Sequence, residues 1–156
     1  MYVKKTIEIY TDGACTGNPG PGGYGAVLMY NGRCKELSGG RSRTTNNRME
    51  ILAVIEALGS LKEPCAANIY SDSRYVVDAI EKGWVERWRR KGWMRDKTSP
   101  ALNVDLWQKM QELLAIHEAR FIWVKGHADN KWNERCDQLA REYIKTGRLI
   151  PDEGYQ

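Results

Sequence analysis

Four acidic residues of this 156-residue chain stand where a strand is predicted to end or a helix to begin: Asp12, Glu50, Asp72 and Asp137. Their neighbours include residues that suit contact with nucleic acid. Magnesium accepts carboxylate oxygens, and two such ions about 4 Å apart can activate water and stabilise the leaving oxygen of a phosphodiester. The four carboxylates could share a pair of magnesium ions, but they lie far apart in sequence, so the fold must bring them together.

Each acid also has an ordinary structural interpretation. Asp12 suits a turn before Gly13, and Asp72 suits a helix cap. Glu50 suits the positive end of a helix dipole, and Asp137 suits a solvated helix face. One such position alone would favour the structural interpretation, so the argument depends on all four together.

A short basic stretch from residue 84 to residue 99 carries six Lys or Arg against two Glu or Asp, which equals the net charge of +4 of the whole chain. Three tryptophans alternate with the cations; the stretch includes Trp84, Arg87, Trp88, Arg89, Arg90, Lys91 and Trp93. Cations with aromatic surfaces suit a sugar-phosphate backbone. An amphipathic helix that buries its tryptophans and solvates its arginines explains the pattern equally well, and both explanations can hold.

Composition indicates one globular domain. The chain is long enough for one core, and 42% hydrophobic with 28% charged residues fits neither a disordered nor a membrane protein. No apolar run resembles a signal peptide or could span a bilayer, so a cytoplasmic location is expected. The four cysteines are scattered without a Cys-x-x-Cys pair, which favours reduced thiols over a zinc site or disulfides.

The pattern predicts three strands, then alternating helices and strands. Strands are predicted at 6–12, 25–30 and 33–39, with a hairpin turn at Asn31-Gly32 and a loop at 17–23, where glycine and proline are too dense for a strand interior. Further strands are predicted at 67–71 and 118–125 and helices at 49–61, 73–81, 84–91 and 134–145, with His117 on a packed helical face. An irregular, mobile tail is predicted from residue 146.

This order suggests a mixed sheet with helices on its faces. Asp12 and Asp72 each follow a strand directly. Because the carboxyl ends of adjacent parallel strands meet at one edge of the sheet, pairing of these two strands would bring the two carboxylates together.

Several long motifs in a fixed order now make the chain recognisable: Thr11-Asp12-Gly13-Ala14-Cys15, Gly17-Asn18-Pro19-Gly20-Pro21-Gly22-Gly23-Tyr24-Gly25, Thr44-Thr45-Asn46-Asn47-Arg48-Met49-Glu50, Asp72-Ser73-x-Tyr75-Val76, Trp123-Val124-Lys125-Gly126-His127-Ala128 and Asn133-Glu134-Arg135-Cys136-Asp137-x-Leu139-Ala140. Together they resemble the bacterial type 1 ribonuclease H family from residue 6 to about residue 143. Four acidic motifs in family order favour the metal-binding interpretation over the structural one.

The resemblance implies an α/β fold with a five-stranded mixed sheet, an antiparallel meander plus parallel strands, flanked by helices. It implies a catalytic domain at 1–145 with a basic protrusion at about 84–99, followed by a tail at 146–156. It assigns Asp12, Glu50, Asp72 and Asp137 to two Mg²⁺ ions, for which Mn²⁺ can substitute, and gives His127 a helpful role in proton transfer or product release. The implied enzyme is a monomeric endonuclease that cuts the RNA strand of RNA–DNA hybrids, leaving 5′-phosphate and 3′-hydroxyl ends.

The resemblance also implies a substrate surface. It places Cys15, Asn18, Asn46 and Asn47 along the minor groove of the hybrid and Arg43 and Thr45 near a phosphate of the DNA strand. The basic protrusion is implied to be a substrate-binding handle. The chain departs from the expected pattern twice: Arg74 stands where relatives often carry glutamine, adding a cation that can contact substrate, and residues 129–132 replace a loop richer in glycine.

Two rival functions remain open at this stage. The first is a module that binds hybrid or double-stranded RNA on the same fold without catalysis, against which the four intact carboxylates argue. The second is a related metal nuclease that acts on DNA, which the asparagines facing 2′-hydroxyl groups disfavour. A cleavage assay on hybrid, double-stranded RNA and double-stranded DNA would separate all three.

Overall fold

The computed structural model describes residues 4–126 and 130–155. Within these residues, five strands and five helices follow one another. In order they are β1 (Lys5–Cys15), β2 (Gly20–Tyr30), β3 (Arg33–Thr44), α1 (Asn46–Gly59), β4 (Cys65–Ser71), α2 (Arg74–Glu81), α3 (Trp84–Arg90), α4 (Val104–Leu114), β5 (Glu118–Trp123) and α5 (Lys131–Thr146).

The strands form one mixed sheet in the order β3-β2-β1-β4-β5. β1 pairs antiparallel with β2 and parallel with β4, and β4 pairs parallel with β5. The predicted mixed sheet and the adjacency of β1 and β4 are therefore confirmed. In the β1–β4 pair Thr11 stands opposite Ser71, so Asp12 and Asp72 each stand one residue beyond the last pair. The strand predicted to end at residue 12 continues to Cys15, because these residues still pair with β2.

Helix α1 is the centre of the core. Thr45 caps its first turn by accepting a hydrogen bond from the Arg48 N–H at 3.2 Å. Its apolar residues are buried on most sides, as the continuous apolar pattern predicted, and they pack against β1, β2 and α4. Because α1 is so enclosed, Glu50 in its early turns is carried into the interior with it.

The glycines of β2 let helix α5 lie directly on the backbone of the sheet. A Cβ atom added to Gly23 would stand 2.4 Å from the Ala140 carbonyl oxygen, and one added to Gly25 would stand 2.3 Å from that of Cys136, both far inside contact distance. The prediction of a loop over 17–23 was therefore wrong at its end, because β2 begins at Gly20 and pairs Gly22 with Cys15. The many glycines of this segment suggested a loop. Their structural reason is that a helix lies close to the backbone of the strand.

Helix α4 covers the outer side of α1 with the buried residues Leu106, Trp107 and Met110. His117 is buried, as predicted, but it follows α4 instead of lying on it. Its Nδ1 accepts a hydrogen bond from the Cys65 N–H at 3.1 Å. Burial lowers the pKa of His117, which keeps the imidazole neutral and able to accept this bond. His117 therefore tethers the start of β4.

The C-terminal segment after α5 is irregular in backbone, but it is fixed to the rest of the fold. The Ser42 N–H donates to the Ile150 carbonyl at 2.8 Å, which ties the segment to β3. Further along, Asp152 pairs with the buried Arg48 of α1 at 2.7 Å. Sequence patterns that predicted a mobile tail missed these contacts, while the boundary between a domain at 1–145 and a tail at 146–156 stays a proposal.

Within residues 4–126 and 130–155, no helix is both long enough and apolar enough to cross a bilayer.

Candidate active site

Three carboxylates converge where the pairing of β1 with β4 ends. Asp12 follows the last residue of β1 that pairs with β4, and Asp72 follows β4 directly. Glu50 reaches the same point from α1. One oxygen of each of the three side chains lies within 4.8 Å of those of the other two. The predicted grouping of Asp12, Glu50 and Asp72 is thus present in space.

The backbone at Gly13 holds two of these carboxylates. Its N–H donates to Asp12 Oδ1 at 2.9 Å and also to Glu50 Oε1. A single amide between two acidic side chains fixes their separation, because each must keep an oxygen directed at the same hydrogen. The Gly13 amide therefore holds Asp12 and Glu50 beside each other.

The concentration of negative charge raises the affinity of these acids for protons. Burial, together with the charges of Asp72 and Asp137, raises the pKa of Asp12 to about 7. Burial and the neighbouring Asp12 raise the pKa of Glu50 well above its ordinary value. Both shifts mean that the folded protein disfavours the fully ionised cluster, so a bound cation would relieve repulsion that the fold imposes.

Asp137 lines the same cleft from α5. The cleft has a volume of about 490 Å³ and is bordered by all four predicted acids. The Asp137 side chain is 40% exposed, whereas Asp12 and Glu50 are buried, and its two oxygens share the single Nε–H of Arg141, each 3.0 Å from the nitrogen. An exposed ion pair of this kind contributes about 1 kcal/mol or less, so it leaves Asp137 free to turn toward a cation.

The cleft suits a hard divalent cation. The acidic side chains that line it offer carboxylate oxygens. Asn133 adds a buried amide whose Oδ1 accepts no hydrogen bond from the described residues. Oxygen ligands of this type are what Mg²⁺, Mn²⁺ and Ca²⁺ accept. The chemistry of the residues therefore fits a metal, while the distances alone do not select one.

His127, the predicted proton-transfer residue, lies outside the described residues, and its role stays a prediction. The start of α5 beyond it is well anchored. Trp132 lies 6.4 Å from the ring of Tyr10, which stacks on Tyr70 at 4.6 Å. The residues that replace a glycine-containing loop thus include an aromatic anchor for α5.

Five predicted substrate residues lie together beside the acidic cleft. They surround the turn between β1 and β2 and the first turn of α1, and they are Cys15, Asn18, Thr45, Asn46 and Asn47. Asn18 Oδ1 accepts a hydrogen bond from the Asn46 N–H at 3.2 Å, which joins the two segments. Cys15 Sγ lies 3.4 Å from the Gly20 and Thr44 carbonyl oxygens and is only partly exposed.

Arg74 is the first residue of α2, two residues after Asp72. Its guanidinium stacks on the ring of Trp123 at 3.9 Å. Trp123 in turn donates its indole N–H to the Asp72 carbonyl at 3.1 Å. Arg74 is therefore linked through one side chain to the backbone of a cluster carboxylate, and its cation is held at the edge of the site.

The basic stretch forms α3 and the loop after it, and its burial agrees with the amphipathic interpretation, while contact with substrate stays a prediction. Trp88 is buried, and Trp84 and Trp93 are partly buried against the core. Arg87, Arg89, Arg90 and Lys91 are exposed. The tryptophans therefore anchor the protrusion and Trp88 is not an open stacking surface, while the cations remain accessible.

Comparison with known proteins agrees with this geometry. Residues 4–145 match the family model RNase H. The chain belongs to the ribonuclease H family. The Ribonuclease H of Desulforamulus reducens is 62% identical over 148 residues, covering 95% of this chain and 93% of that protein. That of Syntrophus aciditrophicus is 56% identical over 152 residues, covering 97% of this chain and 88% of that protein.

Solved ribonuclease H structures share the fold. LC9-RNase H1, a type 1 RNase H with the type 2 active-site motif, superposes with a TM-score of 0.82 at 30% identity, covering 97% of this chain and 80% of that one. LC11-RNase H1 in complex with RNA/DNA hybrid gives a TM-score of 0.69 at 26% identity, covering 89% and 96%. The predicted family and fold class are confirmed.

Sequence reasoning missed two residues of this cleft, Asn133 and Arg141. Asn133 is buried in the cleft and donates weakly to the Thr11 carbonyl, at 3.5 Å. Arg141 holds Asp137. Asn133 stands four residues before Asp137, one helical turn away, so helical spacing from Asp137 was a signal that could have found it.

Proposed function

We propose that this chain is an endonuclease that hydrolyses the RNA strand of RNA–DNA hybrids, leaving 5′-phosphate and 3′-hydroxyl ends. The observation that carries the proposal is the convergence of Asp12, Glu50 and Asp72 in a chain of the ribonuclease H family. We further propose that Asp137 completes the ligand set, that two Mg²⁺ ions are the cofactors, and that Mn²⁺ can replace them. A monomer in the cytoplasm is expected.

The residues of the cleft and of the surface around it have different proposed roles. The four carboxylates hold the cations, which when bound supply activation of water and neutralisation of charge on the scissile phosphate. Asn18, Asn46 and Asn47 are proposed to donate to and accept from 2′-hydroxyl groups along one strand, since amides can do both. Arg43 and Thr45 engage a phosphate of the DNA strand. Arg74 and the exposed cations of the protrusion add charge on either side, and His127 is proposed to move a proton.

The decisive experiment compares substrates that differ in their 2′-hydroxyl groups. An RNA–DNA hybrid should be cut in its RNA strand with magnesium present, while double-stranded RNA and double-stranded DNA should not. A DNA duplex with a short run of ribonucleotides in one strand should be cut within or beside that run. Cutting of the surrounding DNA at equal rate would exclude the proposed reading of ribose, and binding of hybrid without any cleavage would favour a non-catalytic module.

The charge in the cleft predicts a pH-dependent stabilisation by metal. The pKa of Asp12 is about 7 in the folded protein and about 4 when unfolded. Between these values the folded state keeps a proton that the unfolded state has lost, so metal-free stability should fall as pH rises from about 4 to 7. Magnesium binds the ionised cluster and should therefore raise the melting temperature more at about pH 8 than at about pH 5.

Thermal unfolding followed by circular dichroism, with magnesium or with a chelator, measures this effect. Asp12→Asn is the matched variant, because it removes the shifted charge at nearly constant size. It should melt higher than the parent at about pH 8 without metal, and it should lose most of the magnesium response. An equal magnesium response at both pH values would contradict a linkage through this cluster.

The exposed cations of the protrusion predict the salt dependence of hybrid binding. Arg89 and Arg90 pair with Glu86, at 2.5 and 3.3 Å, so Arg87 and Lys91 are the better residues to test. Replacing both with alanine should weaken binding and reduce the slope of log K against log salt by about 2, since about two fewer phosphates are neutralised. Binding titrations at several salt concentrations measure this slope.

The control for the protrusion removes two cations elsewhere. Arg33 and Lys35 are exposed at the start of β3, beside the β2–β3 hairpin and at the other end of β1 from Asp12. Their replacement by alanine changes the net charge equally but should leave the slope unchanged. If both pairs lowered the slope alike, the effect would reflect net charge and not a handle for the substrate.

A further inference from the structure

The C-terminal segment reaches the substrate face through contacts that fix its course. Asp152 accepts hydrogen bonds from Arg48 Nε at 2.7 Å, Arg48 Nη2 at 3.0 Å and Thr44 Oγ1 at 2.7 Å. Thr44 ends β3 and Arg48 lies in the first turns of α1, so this one carboxylate joins the tail to both elements that flank Thr45. The position of the tail is therefore set relative to the proposed substrate residues.

Gly154 then directs the chain between two charged side chains. A Cβ atom at this residue would stand 1.8 Å from Asp105 Oδ2 and 2.8 Å from Arg48 Nη2, so no larger residue fits without displacement. The Tyr155 N–H closes a turn by donating to the Asp152 carbonyl at 3.1 Å. The backbone at Tyr155 is thus held by the close packing of Gly154 and by this hydrogen bond.

The ring of Tyr155 lies beneath the Arg43 side chain. The Arg43 guanidinium carbon is 5.3 Å from the ring centroid, within the range of a cation–π contact. Tyr155 also lines a groove of about 660 Å³ together with Asn18, Thr45 and Asn47, three of the proposed substrate residues. Arg43 is exposed, so its long side chain has many rotamers unless a neighbour restricts them.

We propose that Tyr155 is a positioning residue that holds the Arg43 guanidinium ready for a phosphate of the DNA strand. This inference rests on the proposed function and adds the C-terminal segment to the substrate surface. Restricting Arg43 before the hybrid arrives lowers the entropic cost of binding and leaves the chemical step untouched. The aromatic face supplies the restraint, whereas the charge that meets the phosphate belongs to Arg43.

The test uses the full chain and Tyr155→Leu, with Tyr155→Phe as the conservative control. Removing the ring should raise KM for the hybrid by about threefold to fivefold with kcat unchanged. Tyr155→Phe keeps an aromatic face and should match the parent. The salt slope of hybrid binding should stay the same in Tyr155→Leu, because Arg43 is still present, but should fall by about 1 in Arg43→Ala.

A double variant separates positioning from general loosening of the tail. In an Arg43→Ala background, Tyr155→Leu should have no further effect on KM. An equal rise in KM in both backgrounds, or no rise in either, would overturn the proposal, and Tyr155→Gln provides a second ring-free variant if the leucine variant is unstable. The same comparison is made on the dissociation constant of the hybrid measured without metal, where Tyr155→Leu should weaken binding only when Arg43 is present. This readout does not depend on cleavage, so an inactive parent would count against the proposed function alone.

Discussion

Asp72→Asn is expected to lower hybrid cleavage by roughly 10³-fold, since a metal ligand supplies several kcal/mol of transition-state stabilisation. Asp72 shares its cluster with Asp12 and Glu50 at up to 4.8 Å between ligand oxygens. Asparagine keeps the size of the side chain but removes its charge. Hybrid binding should be largely retained, because the proposed groove and protrusion contacts do not involve this residue.

Single-turnover cleavage and a separate binding titration together measure this prediction. Asp78→Asn is the matched control, because Asp78 lies on α2 and pairs with Lys82 at 3.5 Å outside the cleft. It makes the same chemical change and should leave turnover near that of the parent. Turnover by a folded Asp72→Asn variant within about tenfold of the parent would remove Asp72 from the metal site.

Asp152→Asn is expected to destabilise the fold by about 3 kcal/mol, because it removes a partner of a buried charge. The Arg48 side chain is 2% exposed and the Asp152 side chain 9%. Burial alone would raise the pKa of Asp152, but hydrogen bonds from Arg48 and Thr44 outweigh it and lower the pKa. The stabilisation should therefore be complete above about pH 4 and be lost as pH falls further.

Asp105→Asn provides the comparison, since Asp105 pairs with the same guanidinium at 2.6 Å but its side chain is 44% exposed. Its replacement should cost about 1 kcal/mol or less. For a chain of this size, Asp152→Asn should melt about 6 to 12 °C below the parent. Asp105→Asn should melt at most about 4 °C below it. Equal losses would show that burial does not decide the strength of these pairs.

The contrast between these two aspartates illustrates what sequence patterns can predict. The alternation in β1 and the apolar run of α1 each determine a local structure, so they were visible without coordinates. Asp152 and Arg48 are separated by 104 residues, and Asp152 lies in a segment with no periodicity. Nothing local distinguishes a buried ion-pair partner from a solvated aspartate, so this contact could not be predicted.

The acidic site was predictable for a different reason. Asp12 and Asp72 were each predicted to follow a strand, and both stand one residue beyond the last pair of the parallel β1–β4 ladder, which brings them together by geometry alone. Glu50 and Asp137 required the family resemblance, because the placement of a helix on a sheet depends on packing. Gly23 shows the difficulty: a Cβ atom there would stand 2.4 Å from the Ala140 carbonyl oxygen of α5, yet from sequence the segment 17–23 suggested only a loop.

The register of β1 and β4 also limits how the length of this chain can change. Asp12 and Asp72 each stand one residue beyond the Thr11–Ser71 pair. Insertion or deletion of one residue within either strand would turn one carboxylate to the opposite face of the sheet, even if the strands still paired. Length changes that keep the active site intact should therefore fall in connections such as 31–32, 60–64 and 91–99. A library of single-residue insertions, selected first for folding and then for cleavage, would show at which residues a change of length is tolerated.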